Sequence, residues 1–221
     1  MRVGLFGGTF NPIHAGHLMV AEAVLQRIAL DRLYFIPCRV PPHKLPAYLA
    51  PAADRFRMIR LALPPDARYR LSDAEMRRDG PSYTIDTVTH FAARIPAGTP
   101  MYLIMGMDAF LDMHTWKNRQ GLLERVFPVV VSRRPEDGIS TPDDAQQMDS
   151  YIRAQLPGDY VYDPQQTCWQ RVDGNRILLL STRPVDISSS QVRQRIRDGK
   201  AIDDLVPPPV KAYIDNKELY R

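Results

Sequence analysis

The chain has 221 residues, carries a net charge of +4 at pH 7 and is 44% hydrophobic. These values indicate one large globular domain, or one domain with a small appendage. No apolar run approaches the ~20 residues that cross a bilayer, and the first residues do not resemble a signal peptide. Cys38 and Cys168 lie far apart without metal-type spacing, so we expect neither a zinc site nor a disulfide. We therefore expect a cytoplasmic protein with no membrane partner.

The positive charge has two interpretations. The arginines are scattered rather than gathered in one tract. A nucleic-acid partner and a small polyanionic ligand are both compatible with that distribution. The charge alone does not decide between them.

The start of the chain predicts a βαβ unit. An apolar run at 3–6 predicts a buried strand that ends at Gly7-Gly8. Residues 17–29 then have helical periodicity, and 33–37 form a second apolar run. Two strands joined through a helix argue for a parallel sheet.

Shorter patterns continue this alternation. The further predicted helices are 56–63, 85–94, 122–125, 192–197 and 209–216, and the further predicted strands are 69–71, 101–105, 127–131 and 177–180. Residues 135–175 are polar, and we expect an irregular insertion there with one helix near 145–154. The whole predicts an α/β fold, with a doubly wound, Rossmann-like parallel sheet over 1–186 and a helical C-terminal subdomain over 187–221.

The segment from Gly7 to His17 is a candidate phosphate-binding loop. Ligands of open α/β sheets bind at the carboxyl ends of the strands, and glycines there let main-chain N–H groups approach phosphate oxygens. His14 and His17 stand at the start of the following helix, where they can donate hydrogen bonds to a reacting phosphate. Neither G-x-G-x-x-G nor G-x-x-x-x-G-K-[ST] occurs, which excludes a typical dehydrogenase and a P-loop NTPase.

A second candidate phosphate site is Ile187-Ser188-Ser189-Ser190-Gln191-Val192-Arg193. Serines before a helix are common N-caps, and capping alone would explain them. Arg193 adds a cation one turn into the helix, within reach of an anion bound at the helix start. Because this segment also follows a predicted strand, we expect both sites at the same edge of the sheet.

Together the two segments resemble the nucleotidyltransferase superfamily, which is marked by H-x-G-H and I-S-S-[ST]-x-x-R. His14-Ala15-Gly16-His17 matches the first motif, and the run from Ile187 to Arg193 matches the second. Nearly the whole chain is similar to the bacterial nicotinate-nucleotide adenylyltransferases, most weakly over 135–175. The segments that carry this similarity are Pro41-Pro42-His43-Lys44, Pro81-Ser82-Tyr83-Thr84, Met105-Gly106-Met107-Asp108, Thr115-Trp116, Ser132-Arg133-Arg134-Pro135 and 213–221. One departure is Asn11, where that family most often has Asp.

The resemblance implies an enzyme that transfers the adenylyl group of ATP to nicotinate mononucleotide, giving deamido-NAD and pyrophosphate in NAD biosynthesis. It implies His14, His17 and Arg193 as catalytic residues. The implied ATP contacts are Gly7, Gly8, Thr9, Phe10, Gly106, Asp108, Ile187, Ser188, Ser189, Ser190 and Arg193. Mg²⁺ is expected on the triphosphate, mostly through water and phosphate oxygens, with no dedicated protein metal site.

The second substrate is implied to bind separately. Its implied contacts are Lys44, Tyr83, Thr84, Trp116, Lys117 and Arg133. A pyridine ring would stack on Trp116, and its carboxylate would bind main-chain amides at Thr84 and Lys117.

Other interpretations stay open on the sequence. A pantetheine-phosphate adenylyltransferase or a cytidylyltransferase shares the superfamily motifs, but Ser82-Tyr83-Thr84 and Trp116 argue against both. A class I aminoacyl-tRNA synthetase shares H-x-G-H, but this chain is short and lacks K-M-S-K-S. A nucleotide sensor or a basic nucleic-acid-binding protein is the rival of another class, and the paired motifs disfavour it. We expect ATP and nicotinate mononucleotide as partners and no nucleic acid; a homo-oligomer and the choice between nicotinate and nicotinamide substrates stay open.

Overall fold

The computed structural model describes residues 1–41, 49–132, 142–182 and 187–221, without the side chains of 142 and 143. Its strands are β1 (Val3–Gly8), β2 (Arg32–Pro37), β3 (Tyr69–Leu71), β4 (Met101–Gly106), β5 (Phe127–Ser132), β6 (Tyr160–Asp163), β7 (Cys168–Arg171) and β8 (Arg176–Ser181). Its α-helices are α1 (Ala15–Arg27), α2 (Ala52–Ala62), α3 (Thr84–Ala92), α4 (Met107–Leu111), α5 (Arg119–Leu123), α6 (Pro142–Gln155), α7 (Ser189–Arg197) and α8 (Pro208–Asn216), and a 3₁₀ turn covers Met113–Thr115.

All eight strands form one sheet in the order β3-β2-β1-β4-β5-β8-β7-β6. The pairings from β3 to β8 are parallel, while β7 and β6 pair antiparallel at one edge. This order confirms the predicted doubly wound α/β fold. The direction of winding reverses between β1 and β4, which lie side by side with Leu5 opposite Leu103.

Helices cover both faces of the sheet because side chains alternate along each strand. Phe6 points into a cluster that includes Val24 of α1 and Met58 of α2. Leu5 points to the other face, into a cluster that includes Val88 of α3 and Met148 of α6. Both faces of β1 are therefore buried, as its continuous apolar sequence predicts.

The C-terminal helices belong to the same packed body. Val192 of α7 and Ile214 of α8 are buried in the cluster that contains Phe6. The Tyr213 hydroxyl donates a 2.8 Å hydrogen bond to Asp54, which ties α8 to α2. Within the described residues, no helix is both long and apolar enough to span a membrane.

The expectation of an irregular insertion over 135–175 is wrong for its described part. The predicted helix is present as α6, and it is followed by the hairpin of β6 and β7. The Trp169 side chain of β7 is fully buried, and its indole N–H donates a 3.0 Å hydrogen bond to Asp149 of α6. These strands are only four residues long and lie in an otherwise polar segment, which outweighed the strand-favouring side chains of Tyr160, Val161 and Trp169. Sequence patterning also missed α4 and the 3₁₀ turn.

Candidate active site

The carboxyl ends of β1 and β4 open into a cavity of about 300 Å³. This is the switch point of the sheet, where open α/β folds bind ligands. The predicted contact residues that line it are Gly7, Gly8, Thr9, Gly106, Tyr83, Thr84, Trp116 and Lys117. The fold therefore brings the phosphate loop and part of the predicted acceptor site together.

The phosphate loop is fixed by the side chain of Asn11. This side chain is buried, and its Oδ1 accepts hydrogen bonds from the Ala50 N–H (3.0 Å) and the Tyr220 hydroxyl (2.8 Å). Phe10, just before it, is buried with φ of +48°. The Asn side chain thus meets the local need for an acceptor without a negative charge.

The two histidines stand at the start of α1. His14 occupies the N-cap position and is 1% exposed, while His17 lies in the first turn. The His14 main-chain N–H donates to His17 Nδ1 at 3.3 Å. A ring nitrogen that accepts cannot carry the proton, so neutral His17 holds its proton on Nε2. The rings are 3.7 Å apart between centroids, and the Phe10 ring packs 5.0 Å from His17.

Gly16 separates the histidines for a steric reason. A Cβ at this position would lie 3.1 Å from the His14 ring and 3.5 Å from the main-chain oxygen of Ile187. A side chain here would therefore crowd the His14 ring, whereas the distance to Ile187 is an ordinary contact.

The second motif reaches the phosphate loop directly. Ser188 caps α7 by accepting the Gln191 N–H at 3.1 Å, and Ser189 Oγ donates to the Pro12 carbonyl at 2.9 Å. Arg193 donates from Nη1 to the Asn11 carbonyl at 2.7 Å. The expectation that both motifs meet at one edge of the sheet is met by these contacts.

Arg193 is a partly buried cation. Its Nη2 donates to Ser190 Oγ at 3.1 Å, and its buried Nε has no hydrogen-bond partner in the described part of the chain. Burial lowers the pKa of its guanidinium below the ordinary value of arginine. An anionic ligand would supply the missing acceptor and the missing negative charge.

The acceptor side is built around the start of α3. Tyr83 is its N-cap residue and Thr84 its first residue. Among the described residues, the main-chain N–H groups of Thr84 and Lys117 make no hydrogen bond. Trp116 is half-buried beside them, and the Lys117 ammonium lies 4.6 Å from the centroid of the Tyr83 ring. Two open N–H groups next to an aromatic face match the needs of an aromatic carboxylate.

Glu75 is a buried acid that sequence patterning missed. It lines the cavity and is 6% exposed. Thr87 Oγ1 donates to its carboxylate at 2.6 Å. Burial raises the pKa of the Glu75 carboxyl above its ordinary 4.5, against the opposing effect of hydrogen bonds from Thr87 and Ser82. A single carboxylate between Ala74 and Met76 carries no distinctive local signal.

Arg55 is the second residue that patterning missed. It lies on α2 with its side chain fully buried. It donates hydrogen bonds of 2.7 to 3.1 Å to the main-chain carbonyls of Thr9, Cys38, Arg39 and Ala50. These four acceptors come from three chain segments, so their convergence is visible only in the fold.

Two other predicted ATP contacts, Asp108 and Ile187, are not among the described residues that line the cavity. Asp108 is exposed in the first turn of α4. Ile187 is 9% exposed and packs in the core instead of facing solvent. Lys44 and Arg133 lie outside the described residues.

The described residues do not include a group of three or more His, Cys, Asp or Glu arranged to hold a metal ion. Adenylyl transfer from ATP uses a divalent metal in general.

Comparison with known proteins defines the class. A family model described as cytidylyltransferase-like matches residues 5–195. A protein named probable nicotinate-nucleotide adenylyltransferase from Desulfatibacillum aliphaticivorans is 39% identical, with 100% of both chains covered. One of the same name from Pelobacter propionicus is 37% identical, covering 100% of this chain and 98% of its own.

Solved structures agree in fold. The Plasmodium falciparum nicotinic acid mononucleotide adenylyltransferase complexed with NaAD aligns with a TM-score of 0.72 at 18% identity, covering 99% of this chain and 97% of that one. The fold and the paired motifs thus define a nucleotidyltransferase of the cytidylyltransferase-like class. Within that class, the chain belongs to the nicotinate-nucleotide adenylyltransferase family.

Proposed function

We propose that this protein transfers the adenylyl group of ATP to nicotinate mononucleotide, producing deamido-NAD and pyrophosphate in NAD biosynthesis. The observation that carries the proposal is the shared cavity at the switch point. Its walls include Gly7 to Thr9 on the phosphate side and Thr84 and Trp116 on the acceptor side. A site for one nucleotide alone would not need both walls.

ATP binds along the phosphate loop and the start of α7. Gly7, Gly8 and Gly106 leave room for the nucleotide at the strand ends. Ser189, Ser190 and Arg193 hold the β- and γ-phosphates, supported by the helix N-terminus and by the Arg193 Nε that lacks a partner in the described chain. The buried side chains of Phe10 and Ile187 support the ATP site by packing the two motifs together. Asp108 borders the nucleotide sugar.

Nicotinate mononucleotide binds on the other side of the cavity. Its pyridine ring stacks on Trp116, and its carboxylate accepts hydrogen bonds from the N–H groups of Thr84 and Lys117. The Tyr83 ring keeps Lys117 in place through a cation–π contact. Lys44 and Arg133 complete the contacts to this substrate.

The reaction is an in-line displacement. An oxygen of the mononucleotide's 5′-phosphate attacks the α-phosphorus of ATP, the bond to the bridging oxygen breaks, and pyrophosphate leaves with that electron pair. No protein nucleophile is required, because the attacking phosphate is already ionised at neutral pH. His14 and His17 face the reacting phosphates and stabilise the charge that develops, with the proton of neutral His17 on Nε2.

Mg²⁺ is the metal we propose for this reaction. Bound with ATP, it neutralises part of the triphosphate charge. The protein's own contribution is then positioning by the two motifs and hydrogen bonding by the histidines.

The chain has two parts with different roles. Residues 1–186 form the nucleotidyltransferase core, and 187–221 complete the ATP site. The partners are the two small-molecule substrates and not nucleic acid, and the protein acts in the cytoplasm. A homo-oligomer is compatible with these roles.

The experiment that tests this function is pyrophosphate release from ATP and nicotinate mononucleotide by the wild type and by His17→Ala. Removing a hydrogen-bond donor from the reacting phosphates should lower kcat by about 100-fold or more. His90→Ala is the matched control, because His90 lies on α3 and its ring contacts Phe91. Undiminished pyrophosphate release by His17→Ala would contradict the assignment.

A further inference from the structure

We propose that Arg55 is a positioning residue that sets the phosphate loop and the acceptor pocket at the spacing needed for attack. This inference rests on the proposed function. Arg55 belongs to neither phosphate motif, and it is not among the described residues that line the cavity.

The environment of Arg55 is unusual for a charged side chain. Buried arginines are normally paired with carboxylates. Arg55 is 0% exposed, yet the described residues place no carboxylate within 4.0 Å of its guanidinium. Its partners are four main-chain carbonyls instead. Since burying a charge is costly, such an arrangement persists where it fixes the backbone around it.

One of these hydrogen bonds orients the phosphate loop. Arg55 Nη1 donates to the Thr9 carbonyl at 2.8 Å. The carbonyl and the N–H of a trans peptide point in opposite directions, so the Phe10 N–H of the same peptide points away from Arg55. In the described part of the chain this N–H makes no main-chain hydrogen bond. Arg55 therefore fixes the orientation of this peptide on the loop that lines the cavity.

A second hydrogen bond reaches toward the acceptor pocket. Arg55 Nη1 also donates to the Cys38 carbonyl at 2.7 Å. The N–H of that same peptide belongs to Arg39, and it donates to Ser82 Oγ at 3.3 Å. Ser82 is buried and precedes Thr84 by two residues. Its hydroxyl also forms a hydrogen bond with the buried Glu75 carboxyl. One guanidinium thus connects the loop after β1 to the segment that opens α3.

This connection matters for a reaction between two bound substrates. In-line attack requires the reacting atoms to be held about 3 to 3.5 Å apart, and a misplacement near 1 Å costs on the order of 100-fold in rate. Each half-site can still bind its own ligand when the link between them loosens. The predicted signature is a loss in kcat with little change in either binding constant.

Arg55→Lys tests the predicted loss in kcat, with Arg57→Lys as the matched control on the exposed side of α2. Lysine keeps the charge but not the planar fork that binds several carbonyls at once. We expect kcat to fall by about 10- to 100-fold, while the Kd of each substrate measured alone changes by less than about threefold. Arg57→Lys should change neither quantity. An unchanged kcat, or equal losses in kcat and in both Kd values, would overturn the proposal.

Ser82→Ala provides a second variant that leaves Arg55 in place and decides the question should Arg55→Lys not fold. Its kcat should fall while both Kd values hold, and an unchanged kcat would overturn the link. In the double variant, the Ser82 change should cost less than it does alone, because the link is already broken. Multiplicative effects in the double variant would mean that the two residues act independently and would overturn the proposal.

Failure of the proposed function would give a different result from failure of the positioning role. Wild type and Arg57→Lys would then both release no pyrophosphate. Amide hydrogen exchange decides the positioning role in that case. Faster exchange in Arg55→Lys over both 7–10 and 82–84 supports the link, and unchanged exchange in either segment overturns it.

Discussion

The guanidinium of Arg193 is 2.7 Å from the main-chain oxygen of Asn11, across a sequence separation of 182 residues. This hydrogen bond joins the two phosphate motifs into one site. The Nε of the same guanidinium has no hydrogen-bond partner in the described residues, so this donor is available to a ligand.

Arg193→Lys should weaken ATP specifically. Lysine cannot contact the loop carbonyl, Ser190 and a phosphate at once, so we expect the KM for ATP to rise about tenfold or more. The KM for nicotinate mononucleotide should change by less than about twofold. Steady-state kinetics with each substrate varied in turn measures both. Arg197→Lys, at an exposed position one turn further along the same helix, is the control, and an equal rise in both KM values would contradict the assigned role.

Trp116→Ala should weaken the other substrate. Loss of the stacking face removes about 1 to 3 kcal/mol of binding, so the KM for nicotinate mononucleotide should rise about tenfold or more. Trp116→Phe retains an aromatic face and should recover most of that loss. The KM for ATP serves as the internal control. Equal affinity of the wild type and Trp116→Ala for the mononucleotide would place the pyridine ring elsewhere.

Glu75→Gln should change how stability depends on pH. Burial raises the pKa of Glu75 above 4.5, so the folded protein holds this proton more tightly than the unfolded chain does. The associated stability is complete below pH 4.5 and is lost as the pH rises through the raised pKa. Glutamine does not titrate, so its urea midpoint relative to wild type should be higher at about pH 8 than at about pH 5.

The exposed Glu124→Gln is the control for that comparison. Its urea midpoint relative to wild type shows how removing an exposed carboxylate affects stability at each pH. If Glu75→Gln behaves as Glu124→Gln does, Glu75 is not a strained buried acid.

Trp169→Ala should destabilise the fold without affecting substrate binding. Trp169 is fully buried against α6 and Tyr162, so the free energy of unfolding should fall by about 3 to 5 kcal/mol. Both KM values should hold at temperatures where the variant is folded, because β7 is separated from the cavity by β8 and β5. Val172→Ala, at a fully exposed neighbouring position, should have no measurable effect. A shift in either KM would show that the hairpin contributes to the site.

The parts of this fold that local patterns predict are those that carry their own signal. Val3 to Phe6 is apolar on both faces. His14 to His17 follows the strand after a short loop, so strand, loop and helix could be placed together. The hairpin of β6 and β7 was missed, because its two strands are four residues long and lie in an otherwise polar segment. Arg55 resembles the exposed Arg57 and Arg60 in sequence, and only the convergence of four carbonyls distinguishes it.

The site shows the same division. Arg193 was predicted to bind phosphate from its motif, and Trp116 was predicted to stack on a pyridine ring from the resemblance to the adenylyltransferase family. Glu75 and Ser82 were not assigned roles, because a buried hydrogen-bonding network is a property of packing. Sequence therefore suggests candidate ligand-contacting groups, whereas the groups that would hold them in place emerge only from the fold.

The most direct test is pyrophosphate release by the purified protein with ATP and one mononucleotide at a time. With Mg²⁺ present, nicotinate mononucleotide should support release at a higher kcat/KM than nicotinamide mononucleotide, because the N–H groups of Thr84 and Lys117 favour a carboxylate. Release that requires neither mononucleotide, or no release with either, would contradict adenylyl transfer to a pyridine mononucleotide.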